Sequence, residues 1–102
     1  MPLFKSMSQS QLQKHIRSVA KDTGLVRLTR HALARMQEYS VLADEIYHCL
    51  QGGKILQTPE EDMKTGHLVC RMECYGASKN LAVCAALDEA DPAVIVVTVI
   101  VK

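Results

Sequence analysis

The spacing of apolar residues changes once along the chain, near Lys54, and this change limits the folds that the chain can adopt. Before Lys54, apolar residues such as Leu12, Ile16 and Val19 recur every three or four positions, as in a helix with one buried side. From Lys54 onward apolar and polar residues alternate, which is typical of strands with one buried face. The order predicts an α+β fold in which N-terminal helices pack on a four-stranded antiparallel sheet.

Three helices are predicted before this change. The first runs from about Gln9 to Thr23, behind a capping box formed by Ser8 and Gln11. The second begins after the N-cap Thr29 and ends near Tyr39. The third carries an apolar side and stops at a pair of glycines: Leu42, Ile46, Cys49 and Leu50, then Gly52 and Gly53.

The extended segments are predicted from alternation and from turn residues. They are Leu25–Leu28, Lys54–Thr58, Leu68–Tyr75, Asn80–Leu87 and Val94–Val101. A polar loop follows the second segment, and Gly76–Lys79 joins the third and fourth as a hairpin. The last segment is almost wholly apolar, which indicates a strand that is central in the sheet or covered on both faces.

The cysteines are predicted to be reduced, mostly buried side chains rather than a disulfide or a metal site. Cys70 and Cys74 point the same way on one strand but lie about 13 Å apart along it. The apolar faces of neighbouring strands coincide only if Cys84 points to the opposite face, which disfavours a Cys74–Cys84 bridge. The four histidines have no spacing typical of paired zinc ligands, so we predict no metal and no cofactor.

The 102 residues suit one compact domain. The N-terminus has no apolar leader and no apolar run is long enough to cross a membrane, so we expect a cytoplasmic protein without a membrane partner. The charge is unevenly distributed, since the first 35 residues carry a net charge of +6 and the rest −5. A basic third is typical either of a phosphate-binding surface or of ordinary solvated helices, and the sequence leaves both open.

The start of the second helix is the candidate site. His31 and Arg35 are four residues apart and therefore lie on one side of that helix, with Glu38 just beyond. Ala32, Leu33 and Met36 are predicted to fall on its core-facing side. An imidazole beside a guanidinium at a helix start indicates a site for an anionic substrate.

Three stretches resemble the bacterial domain-of-unknown-function family four-two-five-eight: Leu28-Thr29-x-His31-Ala32-x-x-Arg35-Met36, the helix end Leu50-x-Gly52, and the strand Val96-Val97-Thr98-Val99. The resemblance runs from Arg27 to the end. It divides the chain into an N-terminal helical extension, residues 1–24, and a toxin-like α+β domain, residues 25–102. That family in turn resembles the small ribonuclease-toxin fold of RelE-like mRNA interferases and colicin-type tRNA nucleases.

The resemblance implies a metal-independent endoribonuclease. His31, Arg35 and Thr98 match family positions and become the candidate catalytic residues, with His31 as the base or acid and Thr98 as a hydrogen-bond donor. Candidate substrate-binding residues come from charge and stacking chemistry: Arg30, Arg71 and Tyr75. The implied partners are RNA and an antitoxin-like protein.

Two departures from the family pattern favour a degenerate member. The chain has Tyr39-Ser40 where members carry a second basic residue, and Ile100-Val101 where they end with tyrosine. The alternative is a non-catalytic protein-interaction module, either a toxin–antitoxin partner or a small homodimer. Convergence of the candidate residues on one cleft favours the enzyme, and scatter favours the module.

Overall fold

Three α-helices and six strands form the structure, a computed structural model that describes residues 4–75 and 79–102. The helices are α1 (Gln9–Val19), α2 (Arg30–Tyr39) and α3 (Ala43–Gly52). Short 3-10 turns occupy Phe4–Ser6 and Thr23–Leu25. The strands are β1 (Val26–Leu28), β2 (Lys54–Ile55), β3 (Glu60–Glu61), β4 (Leu68–Tyr75), β5 (Asn80–Leu87) and β6 (Val94–Val101). The predicted α+β class is therefore correct.

The sheet is mixed, whereas the sequence predicted four antiparallel strands. Its order is β1, β6, β5, β4 and β2, and β3 also pairs with β4. β1 lies parallel to β6, with Val26 opposite Val94, and the other pairs are antiparallel. β1 and β3 have only three and two residues, too few for a periodic signal. β1 and β6 are also far apart in the sequence, and a pairing between such distant segments leaves no local pattern.

The pairing register gives the sheet two faces. Cys70 lies opposite Ala85 and Arg71 opposite Cys84, while the shift at Cys84–Ala85 leaves Val97 as an extra residue in β6. The core face comprises Leu68, Cys70, Met72, Cys74, Leu81, Val83, Ala85, Leu87, Val94, Val96, Val99 and Val101. The open face comprises Val69, Arg71, Glu73, Tyr75, Asn80, Ala82, Cys84, Ala86, Ile95, Thr98 and Ile100.

All three helices pack on the core face. Leu12 and Ile16 of α1, Ala32 and Met36 of α2, and Ile46 of α3 belong to one buried cluster with that face. The packing predicted for the first helix is thereby confirmed. Leu33, predicted to face the core, is instead 47% exposed, because it lies about 100° around the helix from Ala32. α1 ends at Val19, before the predicted Thr23, because the chain then turns and the side chain of Asp22 accepts a hydrogen bond from the backbone of Gly24.

Polar side chains fasten α1 to the rest of the domain. The guanidinium of Arg17 donates to the carbonyl of Gly53 at 2.7 and 2.9 Å and to that of Gly52 at 3.2 Å, so it caps the end of α3. Gln51 donates back to the carbonyl of Ala20 at 2.9 Å. The side-chain oxygen of Gln13 accepts from the backbone N–H of Ile55 at 2.9 Å. The extension is thus joined to α3 and to β2.

Cys84 lies on the open face and Cys70 and Cys74 on the core face, which confirms the face assignment. All four thiols are free in the structure. The predicted hairpin turn falls largely on residues 76–78, which lie outside the described residues. Among the described helices, none has the length and apolar character needed to cross a bilayer.

Candidate functional site

Thr29 fixes the start of α2 against the irregular part of β6. Its side-chain oxygen accepts from the backbone N–H of Ala32 at 3.2 Å, as an N-cap does. Its hydroxyl lies 2.8 Å from the carbonyl of Val96 and 3.1 Å from that of Val97, to which it can donate. The backbone N–H of Thr29 also donates to the Val96 carbonyl at 3.1 Å. The start of α2 is therefore held beside the residue that precedes Thr98.

The first turn of α2 is basic and exposed. Arg30 is its first residue and His31 its second, both side chains are exposed, and the turn contains no acidic residue. Nearby on β1, Arg27 pairs with Asp91 at 3.1 Å but leaves 64% of its side chain exposed. Cations are unfavourable at a helix N-terminus because the free N–H groups already carry partial positive charge. This turn is therefore suited to an anion, which would balance the charge of the Arg30 guanidinium and the partial charge of the free N–H groups.

Arg35 lies one helical turn further along α2 and is largely shielded from solvent. It contacts Glu38 at 3.3 Å and lies over the ring of Tyr39, 5.0 Å from its centroid. Its Nε is buried and has no hydrogen-bond partner among the described residues. An acceptor brought by a ligand would satisfy this donor.

The open face carries the other three predicted site residues, Arg71, Tyr75 and Thr98. Arg71, Cys84 and Thr98 form a row across β4, β5 and β6. Arg71 faces Glu73, with 3.6 Å between its Nε and the carboxylate, and that Nε also lacks a hydrogen bond in the described chain. Tyr75, at the end of β4, is 68% exposed.

The predicted site residues thus fall into two groups. The α2 group comprises Arg30, His31 and Arg35. The sheet group comprises Arg71, Tyr75 and Thr98, on the open face of β4 and β6. The buried side of α2 packs on the core face while the side chain of Thr98 belongs to the open face, so the two groups do not line one cleft.

The surroundings of Arg71 are acidic. A cleft of about 320 Å³ is lined by Gln57, Thr58, Glu60, Glu61, Asp62, Val69, Arg71 and Cys84. Its three carboxylates repel a polyanion, so this cleft suits a phosphate chain less well than the start of α2 does.

Sequence reasoning missed the ion pairs around Glu73. Its side chain is only 5% exposed, and its carboxylate contacts both Arg71 and the ammonium of Lys102. The alternation along β4 places positions 71 and 73 on one face, so the first pair was detectable. The second was not, because it depends on the register of β6 across β5.

Capping by Thr29 and packing against β6 thus position the start of α2. Among the described residues, no three His, Cys, Asp or Glu side chains are grouped closely enough to hold a metal ion. The chemistry available at the start of α2 is that of an imidazole, two guanidiniums, a hydroxyl and free backbone N–H groups.

Comparison with known proteins identifies the family. The family model described as "Domain of unknown function (DUF4258)" matches residues 28–101. The chain belongs to this family. The match begins one residue before Thr29 and includes α2, α3 and β2 to β6, so α1 precedes the matched DUF4258 region. No curated protein and no solved structure has a significant match to the chain. The predicted family resemblance is confirmed.

Proposed function

We propose that this DUF4258 domain binds single-stranded RNA through its phosphates at the start of α2 and cleaves it without a metal ion. The observation that carries the proposal is the placement of Arg30 and His31, both exposed, in a first turn without acids. Local charge there opposes helix stability, and such conflicts are expected where function requires them.

A phosphate at this position would satisfy several groups together. The first backbone N–H groups of α2 point along the helix axis and bind anions. Arg30 adds a guanidinium beside them, and Arg35 supplies a further buried donor through its Nε. The hydrogen bonds of Thr29 to Val96 and Val97 hold this arrangement rigid, since both ends of the contact lie in regular elements.

The proposed reaction is intramolecular transesterification. His31 takes the proton of the ribose 2′-OH, and the 2′ oxygen forms a bond to phosphorus. The bond from phosphorus to the 5′ oxygen then breaks, and that oxygen takes a proton from water; the hydroxide left behind takes the proton from His31 and becomes water again. Arg35 stabilises the negative charge that develops on the phosphorane oxygens. The products are a 2′,3′-cyclic phosphate and a 5′-hydroxyl.

The test combines RNA binding with end-group analysis. We expect fluorescence anisotropy to detect binding to single-stranded RNA, and chromatography to detect 2′,3′-cyclic phosphate ends in the presence of EDTA. His31→Ala should abolish cleavage and leave binding mostly intact, whereas Arg35→Ala should weaken both. Lys14→Ala, an exposed change of the same charge on α1, should alter neither. Cleavage by His31→Ala at the wild-type rate would refute the assignment.

A second candidate is a protein-interaction module, which is favoured by the separation of the candidate residues into two groups and by the open face of the sheet. Val69, Ile95 and Ile100 are only half-buried there, and the three helices lie on the other face. Such a face can be covered by an antitoxin-like protein or by a second copy. No RNA binding by the wild type, with a dimer in analytical ultracentrifugation that Ile100→Lys dissociates, would favour this candidate.

A further inference from the structure

Two cysteines from different elements meet where α3 ends on the sheet. The thiol of Cys49 lies in the last turns of α3, 3.4 Å from the carbonyl of Met72. Met72 and Cys74 share the core face of β4, so Cys49 lies over the same part of the strand. Cys74 is near enough for its thiol to raise the pKa of the Cys49 thiol. Both are free in the structure.

The backbones at this point are also close. A Cβ at Gly53 would lie 2.5 Å from the carbonyl oxygen of Cys49 and 2.9 Å from that of Glu73, the residue before Cys74. The end of α3 is therefore packed directly against β4. This approach places Cys49 beside the segment of β4 that carries Cys74, as a disulfide between the two would require.

The two thiols differ in access. Cys49 is fully buried, whereas Cys74 is half-buried and lines a cleft of about 430 Å³ with His48, Gly52, Lys54, Leu56, Glu73 and Tyr75. Burial raises the pKa of the Cys49 thiol, and the nearby Cys74 thiol raises it further. Cys74 is consequently the thiol that a small oxidant reaches first, and Cys49 is the buried thiol near it.

We propose that Cys49 and Cys74 are an oxidation site that forms an intramolecular disulfide with hydrogen peroxide. The Cys74 thiolate attacks one peroxide oxygen, the O–O bond breaks, and a sulfenic acid and hydroxide form; the hydroxide takes a proton to become water. The sulfur of Cys49 then attacks the Cys74 sulfur. The S–O bond breaks and a second water leaves with the Cys49 proton, so one peroxide is consumed per disulfide.

The other two cysteines do not share this geometry. Cys70 lies on the core face, where burial raises its pKa to about 11. Cys84 lies on the open face, where burial also raises its pKa. Neither has a thiol neighbour among the contacts of the described residues. They therefore provide the internal control for oxidation of the pair.

The experiment uses the full chain, treated with a small excess of hydrogen peroxide, alkylated and digested with trypsin. Each cysteine falls in its own tryptic peptide, within residues 36–54, 65–71, 72–79 and 80–102. We expect two of the four thiols to disappear and the peptides 36–54 and 72–79 to be linked. A link to Cys70 or Cys84, a link between two chains, or four remaining thiols would overturn the proposal.

Variants and stability give a second readout. Cys70→Ser/Cys84→Ser should still form the bridge, and Cys49→Ser should leave a sulfenic acid on Cys74 that dimedone traps. Oxidation should raise the Tm of the wild type by at least about 5 °C, because the bridge restricts the unfolded chain. Peptide mapping of the wild type needs no substitution, so the proposal stays testable if a variant does not fold. It does not depend on RNA cleavage.

Discussion

Ser40 ends α2 in the left-handed region, with a φ of 55°. This conformation costs a residue with a Cβ about 1 kcal/mol, and glycine adopts it freely. Ser40→Gly should therefore raise the free energy of unfolding by about 0.5–1 kcal/mol, measured by urea denaturation. Ser40→Ala keeps the Cβ and should bring no gain. Equal stability of the two variants would contradict the strain argument.

Glu45 links the stability of α3 to pH. Its carboxylate accepts a hydrogen bond from the backbone N–H of Leu42, which together with the ammonium of Lys79 lowers its pKa below the ordinary value of 4.5. A lowered folded pKa means that the stabilisation is present above pH 4.5 and is lost as pH falls through the folded value. Wild type should be more stable than Glu45→Gln at about pH 7, and the difference should shrink towards about pH 3.

Urea denaturation at both pH values measures this difference. Asp44→Asn is the matched control, since Asp44 neighbours Glu45 in the first turn of α3 and no hydrogen bond from its side chain is described. Its stability relative to the wild type should depend on pH less. A Glu45→Gln difference that stays constant with pH would show that the carboxylate does not act as a cap.

At the residue scale, local chemistry was predictable and distant partners were not. The N-cap role of Thr29 followed from its position before an apolar helical stripe, and its bond to Ala32 bears this out. Its hydroxyl also reaches Val97, 68 positions away, and nothing near Thr29 in the sequence indicates that partner. The candidate site depends on that distant contact.

At the element scale, Arg17 decides how firmly α1 is held. It lies on the side of α1 that meets α3 and hydrogen-bonds the carbonyls of Gly52, the last residue of α3, and of the C-cap residue Gly53. Arg17→Ala should lower the free energy of unfolding by about 1.5–3 kcal/mol, because hydrogen bonds from a charged donor are lost and the buried Gly53 carbonyl loses its partner. Chemical denaturation followed by circular dichroism measures the loss.

Lys14→Ala tests whether charge alone matters. Lys14 is exposed on the same helix, so its replacement should change stability by less than about 0.5 kcal/mol. Equal losses from both substitutions would mean that the cap on α3 contributes nothing and that α1 is held by its apolar side alone.

Elements with several turns or pleats were predictable, and short ones were not. α2 and α3 begin and end within a residue or two of their predicted bounds, and β4, β5 and β6 match theirs. β3 was assigned to a polar loop, because two glutamates bear no strand signal. Its pairing with Leu68 and Val69 is imposed by the neighbouring strand. The sheet is mixed because of another short strand, the three-residue β1, which lies parallel to β6.

At the scale of the whole molecule, a net charge of +1 hides two regions of opposite sign. The structure separates them, with Arg30 and His31 at the start of α2 and Glu60 to Asp62 beside β4. A net charge of +1 attracts RNA only weakly, so RNA binding must depend on where the basic side chains lie. The sequence predicted the asymmetry, and only the fold assigns it to two places.

Salt dependence tests this distribution of charge. The logarithm of the RNA association constant should fall linearly with the logarithm of salt concentration, as phosphate contacts release counterions. Arg30→Gln should reduce the slope by about 0.7, the value for one contact with single-stranded nucleic acid. Lys14→Gln removes the same charge from α1 instead of from α2, and it should leave the slope as in the wild type. If both substitutions reduce it equally, RNA contacts the basic third diffusely and the start of α2 is not the binding site.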